Sequence, residues 1–189
     1  SGYDILNASF PFKDFWAIKG PTLDIIQALY FKIFGISWVS YAAHSSSFNT
    51  LFALSFFFTI KKFRLCNEYS FFYSVLASIL MYPTYGIPFT DHHVSIFSIL
   101  SVFSLCLAIK TGKDIYWFFI PILLFLGFFT KQTPIGYFGI LISFVTLLYF
   151  VKNFRKKILI LVFLSSFISI FSFSNCSCDL PTDATSGHV

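Results

Sequence analysis

Two short stretches hold most of the groups that could do chemistry. Asp91-His92-His93 sets a carboxylate beside two imidazoles, and Lys131-Gln132-Thr133 sets an ammonium beside an amide and a hydroxyl. Carboxylates and imidazoles move protons at a reacting centre, and an ammonium holds the charge that develops on a leaving phosphate. Asp4, Asp14 and Asp24 add carboxylates near the N-terminus, and His44 adds a further imidazole. Each has a plainer use as well. Asp91 follows Thr90 just ahead of an apolar run, where a carboxylate can cap a helix. Asp14 can be a solvated loop acid, Lys131 a lysine with its stem on apolar surface and its head in water, and His44 a packed, hydrogen-bonded residue. Adjacent histidines point in different directions on a helix, so His92 and His93 do not read as a ready metal pair. Cys176-Ser-Cys178 is too short a motif for zinc, and the four cysteines show no disulfide framework.

The elements that must position these groups are written in the composition. The 189 residues are 57% hydrophobic and 11% charged, with 29 phenylalanines. A soluble domain is about a quarter charged, and a disordered chain is richer still in charge and poorer in large apolar residues. Helices apolar on every side belong in lipid. A span takes roughly 20 residues, so the length admits about six. The net charge of +5 then reads as basic loops of a membrane protein, with no nucleic-acid partner.

The chain divides accordingly. Residues 1–36 read as an outer loop that carries an amphipathic surface helix, TLDIIQALYFKIFG, started by Gly20-Pro21 and stopped by Gly35. Asp24 and Gln27 share one face of it; Leu23, Ile26, Tyr30 and Phe34 line another. Residues 37–174 read as an all-α transmembrane bundle. Its expected spans are Ser37–Ile60, Tyr69–Tyr82, Val94–Ile109, Ile115–Thr130, the run from Pro134 to Val151, and Ile158–Phe173. Residues 175–189 form a polar tail, read as disordered.

Charge fixes the orientation. Lys61, Lys62, Arg64, Lys110, Lys113, Lys152, Arg155, Lys156 and Lys157 account for nine of the thirteen basic residues, and all follow odd-numbered spans. By the positive-inside rule those loops are cytoplasmic. The N-terminal loop, the 83–93 loop and Lys131 fall on the outer side. The expected setting is a multi-pass protein of a bacterial cytoplasmic membrane.

Residues 11–35, PFKDFWAIKGPTLDIIQALYFKIFG, resemble the first outer loop of the GT-C membrane glycosyltransferases, through Pro11, Phe12, Asp14, Phe15, Gly20, Pro21 and Phe34-Gly35. FFTKQTPIGYFGI, residues 128–140, also looks like a segment of those enzymes. The resemblance implies a polyprenyl-phosphate sugar donor whose tail lies among the spans. It implies a first-loop acid as base, Asp14 or Asp4, and a cation for the phosphate, Lys131, aided by His92 or His93. Asp91, Asp24 and Gln132 join as substrate-binding candidates, and Asp14 and Asp91 are open to acceptor or divalent-metal binding. The family's base usually follows a first span that this sequence lacks, so the chain reads as roughly the first half of a longer enzyme. A polytopic transporter or flippase for a lipid-linked or anionic solute is the competing reading. A non-catalytic membrane scaffold is a third.

Overall fold

The computed structural model describes residues 2–7, 20–83, 86–153, 160, 162 and 164–166. All elements among them are helices: α1 (Gly2–Leu6), α2 (Thr22–Phe34), α3 (Trp38–Lys62), α4 (Asn67–Met81), α5 (Thr90–Thr111), α6 (Asp114–Phe128) and α7 (Gln132–Lys152). Asp14 lies outside the described residues, as do nearly all of the expected sixth span and the tail.

Local chemistry sets the ends. Gly35, at φ +76°, closes α2 where the sequence places the stop. Gly112 takes the left-handed conformation after α5 and donates its N–H to the Ala108 carbonyl at 3.0 Å. Pro134 falls in the first turn of α7, where its missing N–H costs no intrahelical bond.

From α3 onward, successive helices run up and down. The α3–α4, α5–α6, α3–α5, α5–α7 and α6–α7 pairs pack on one another. One core joins Phe52, Ile96 and Leu100 to Phe48, Phe56 and Leu123. A second joins Leu105, Ala108, Trp117, Ile120 and Ile142. Gly127 lets α6 approach α7 and α5: a Cβ there would stand 2.7 Å from Ile135 Cδ1 and 3.3 Å from Phe97 Cβ.

The distribution of polarity is inverted relative to a soluble protein. On α3 the buried positions include Ser40, His44, Ser45 and Asn49, while Trp38, Val39, Leu51, Leu54 and Phe58 are exposed. On α4, Ser70 and Ser74 are inside, and Phe71, Phe72, Ile79 and Leu80 outside. Small polar residues inside, with large apolar ones outside, are the arrangement of helices that pack in lipid. Several hydroxyls bond within their own helices, as Ser74 Oγ donates to the Ser70 carbonyl at 2.7 Å and Ser98 Oγ to the Val94 carbonyl at 2.7 Å, while Ser45 Oγ and Ser70 Oγ are buried without a hydrogen-bond partner among the described residues. Asn49 Nδ2 crosses from α3 to α4, to Ser78 Oγ at 2.8 Å and its carbonyl at 3.1 Å.

Two helices, α5 and α7, are long and apolar enough to cross a membrane. The six-span bundle expected from the sequence is therefore not reproduced by this measure. α3 has the length but too many Ser, Asn and Thr. α4 and α6, at 15 residues each, reach about 22 Å against a hydrocarbon core of about 30 Å. α2 turns Gln27, Ala28 and Phe31 inward and leaves Ile25, Leu29 and Ile33 exposed.

Candidate functional site

One end of the bundle gathers the polar groups. It is built from α2, the second turn of α3, the start of α5 and the turn between α6 and α7. The opposite end collects the turns with Lys61, Lys62, Arg64, Lys110 and Lys113. There the Lys110 ammonium lies 4.4 Å from the centre of the Phe63 ring, which ties the end of α5 to the end of α3.

The N-terminus of α2 docks on the end of α6. Gly20 N–H donates to the Thr130 carbonyl and Thr22 N–H to the Phe129 carbonyl, both at 3.3 Å. Donors that a helix start cannot satisfy internally thus meet acceptors left over at a helix end. The approach is close enough that a Cβ on Gly20 would fall within 1.7 Å of the Phe129 oxygen. The two segments that carry the family resemblance are in contact here.

Docking brings Gln27 against α3. Gln27 Oε1 stands 2.7 Å from His44 Nδ1, and His44 Nε2 stands 3.0 Å from His93 Nε2. His93 Nδ1 donates to the Phe89 carbonyl at 3.0 Å, one turn back. All three side chains are buried. Tyr30 stacks on His44 with centroids 4.8 Å apart, and Phe48 packs 4.5 Å from the His93 ring. The chain ties α2, α3 and α5 together.

Closer to solvent, the Lys131 ammonium pairs with the Asp91 carboxylate. The side chains are 41% and 69% exposed, so the pair is open to a ligand. His92, between Asp91 and His93, packs its ring edge-on to His93 at 5.3 Å, and its two ring nitrogens are buried without a hydrogen-bond partner among the described residues.

The structure therefore brings Asp91, His92, His93 and Lys131 together. Asp91, His92 and His93 sit in the first turn of α5, not in a loop. Asp91 does not cap that helix, because Phe89 holds the N-cap position and Asp91 lies inside the first turn. The His92 and His93 rings touch edge-on, and only His93 reaches His44. Gln132 is the exposed first residue of α7, beside Lys131. Asp4 is half-buried in α1, which packs on α2, and Asp24 is half-buried one turn before Gln27. Among the described residues no three His, Cys, Asp or Glu side chains converge to hold a metal. An apolar cavity of about 520 Å³ lined by Trp117, Ile142 and Phe150 lies toward the basic end, away from these residues.

Sequence reasoning missed Gln27 as a partner of His44. The available signal was an amide set among Leu23, Tyr30 and Phe31 on a short apolar helix, which needs a buried partner.

Compared with family models, curated proteins and solved structures, the chain finds no match.

Proposed function

We propose that this chain is part of an integral-membrane glycosyltransferase that takes sugar from a polyprenyl-phosphate donor. In this reading α3 to α7 and the 158–173 segment are the spans of a multi-pass bacterial cytoplasmic-membrane protein. The basic end faces the cytoplasm and the polar end faces outward. The inverted polarity of α3 and α4 supports a lipid setting beyond the two longest apolar helices.

The observation that carries the reading is the Lys131–Asp91 pair. It is open to solvent, lies beside buried imidazoles, and sits at the end away from the basic turns. Lys131 offers the donor phosphate a cation, and Asp91 holds that cation in place until the phosphate arrives. The acceptor hydroxyl attacks the anomeric carbon, forming the new carbon–oxygen bond as the bond to the phosphate oxygen breaks. Its proton passes to a first-loop carboxylate, Asp14 or Asp4. The polyprenyl phosphate leaves with its charge against Lys131. A transporter places its polar site near the midplane. Here the polar groups lie in the first turns of α5 and α7 and within about 9 Å of the start of α3, which favours an enzyme working at the interface.

The test is photo-crosslinking of membranes that contain the protein with a benzophenone-bearing polyprenyl-phosphate sugar. Label on the peptide containing Lys131, competed by polyprenyl phosphate but not by polyprenol, is the expected result. Equal competition by polyprenol removes the phosphate site.

A further inference from the structure

The hydrogen-bond chain from Gln27 through His44 and His93 to Phe89 has a direction, and its far end fixes it. The Phe89 carbonyl only accepts, so His93 Nδ1, 3.0 Å away, carries a proton. A neutral His93 then presents a bare Nε2. His44 Nε2, 3.0 Å from it, must supply the proton between the rings. That leaves His44 Nδ1 bare, and a bare nitrogen 2.7 Å from the Gln27 amide needs a donor there.

The amide as placed turns its oxygen to His44, and its buried Nε2 has no partner. With that orientation both Nδ1 atoms carry protons, and two lone pairs meet across the Nε2–Nε2 gap. Only an added cation between the rings relieves this. The setting opposes one: Gln27 is 4% exposed, His44 and His93 are fully buried, and Tyr30 and Phe48 close the sides. The oxygen and nitrogen of an amide are nearly equal in size, and turning the group exchanges them.

We propose that Gln27 holds its amide nitrogen toward His44 and so completes the proton order that the Phe89 carbonyl sets in the two buried imidazoles. The chain is neutral and runs one way. Gln27 Nε2–H donates to His44 Nδ1, His44 Nε2–H to His93 Nε2, and His93 Nδ1–H to the Phe89 carbonyl. Gln27 is a positioning residue for both rings. Gly2 gives it room, since a Cβ there would stand 2.9 Å from Gln27 Cβ. The proposal does not depend on the glycosyltransferase reading.

The experiment is solid-state nitrogen NMR of the full chain in bilayers, with the histidines labelled. The chain has four histidines, so the spectrum is small enough to assign, with His92→Gln and His188→Gln removing the other two. The expected pattern is His44 protonated at Nε2 and bare at Nδ1, His93 protonated at Nδ1, and a coupling across the two Nε2 atoms. Protonation of His44 at Nδ1 overturns the proposal, whether the gap then holds a shared proton or a metal-shifted Nε2. Two variants sharpen it. Gln27→Glu, once its carboxyl is ionised at raised pH, offers only acceptors, so His44 should then gain Nδ1–H and the pair should hold one extra proton and show an imidazolium signal. Gln27→Met removes the donor at His44 Nδ1, so His44 should keep its Nε2 proton while its bare Nδ1 signal moves to that of a nitrogen with no hydrogen bond. A Gln27→Met protein in which the His44 Nδ1 signal is unmoved also contradicts the proposal, and the spectrum of the unmodified protein decides the matter if either variant fails to fold.

Discussion

Lys131, the residue before α7, pairs with Asp91 in the first turn of α5, although 40 positions separate them in the chain. The contact spans the polar end of the bundle and sets a cation beside the His92–His93 step. A pair so open to water contributes about 0–1 kcal/mol to stability, which points to a use other than holding the fold.

That separation of roles can be measured. Lys131→Gln and Asp91→Asn should each change unfolding stability in micelles by less than about 1 kcal/mol. Lys131→Gln should weaken capture of a polyprenyl-phosphate ligand by at least about tenfold, the loss of one charge-assisted hydrogen bond. Equal capture by the two proteins would detach Lys131 from phosphate binding.

His44 and His93 make the opposite case, a contact whose value is structural. Phenylalanine at either position leaves the other ring with a buried nitrogen unpaired, at a cost of about 1–3 kcal/mol. The double variant removes both polar groups and should recover part of that loss. A double-mutant cycle of unfolding free energies reads the coupling directly, and strict additivity would mean that the two rings do not bond.

The docking of α2 rests on Gly20. Gly20→Ala drives a methyl into the Phe129 backbone, and is expected to lower stability by about 1–3 kcal/mol, the usual cost of overpacking. Gly136→Ala, where nothing lies within 4 Å, serves as control and should be near neutral or slightly stabilising. Equal melting temperatures for the two variants would show that the end of α6 does not hold α2.

Much of this arrangement is legible in the sequence, and the failures have causes. Gly35, Gly112 and the Lys131 break mark helix ends that the structure keeps. The all-apolar character of α5 and α7 marks the two candidate spans. α3 falls short of that measure because its serines and Asn49 are polar in sequence, although several are buried or self-bonded in the fold. The first turn of α5 reads as loop because Pro83 and Pro88 precede it and polar residues fill it. The His44–His93 contact lies 49 positions apart, and no spacing rule joins residues at that distance. Asp14, central to the resemblance, lies outside the described residues.

Orientation has a natural probe in Cys66, an exposed thiol in the turn between α3 and α4 at the basic end. With Cys176 and Cys178 changed to serine, a membrane-impermeant maleimide should label Cys66 only after the membrane is opened. A cysteine placed at Gln132 should label in intact cells. Reversed accessibility would put the polar end in the cytoplasm and remove the interfacial site from the outer face.

Sugar transfer is measured directly in membranes containing the protein, with a labelled polyprenyl-phosphate sugar. Label should move to an acceptor and polyprenyl phosphate should be released in equal amount, with both falling at least about a hundredfold in Asp14→Asn, the scale of a lost general base. No transfer from any polyprenyl-phosphate sugar, in membranes where the protein is folded and correctly oriented, would contradict it.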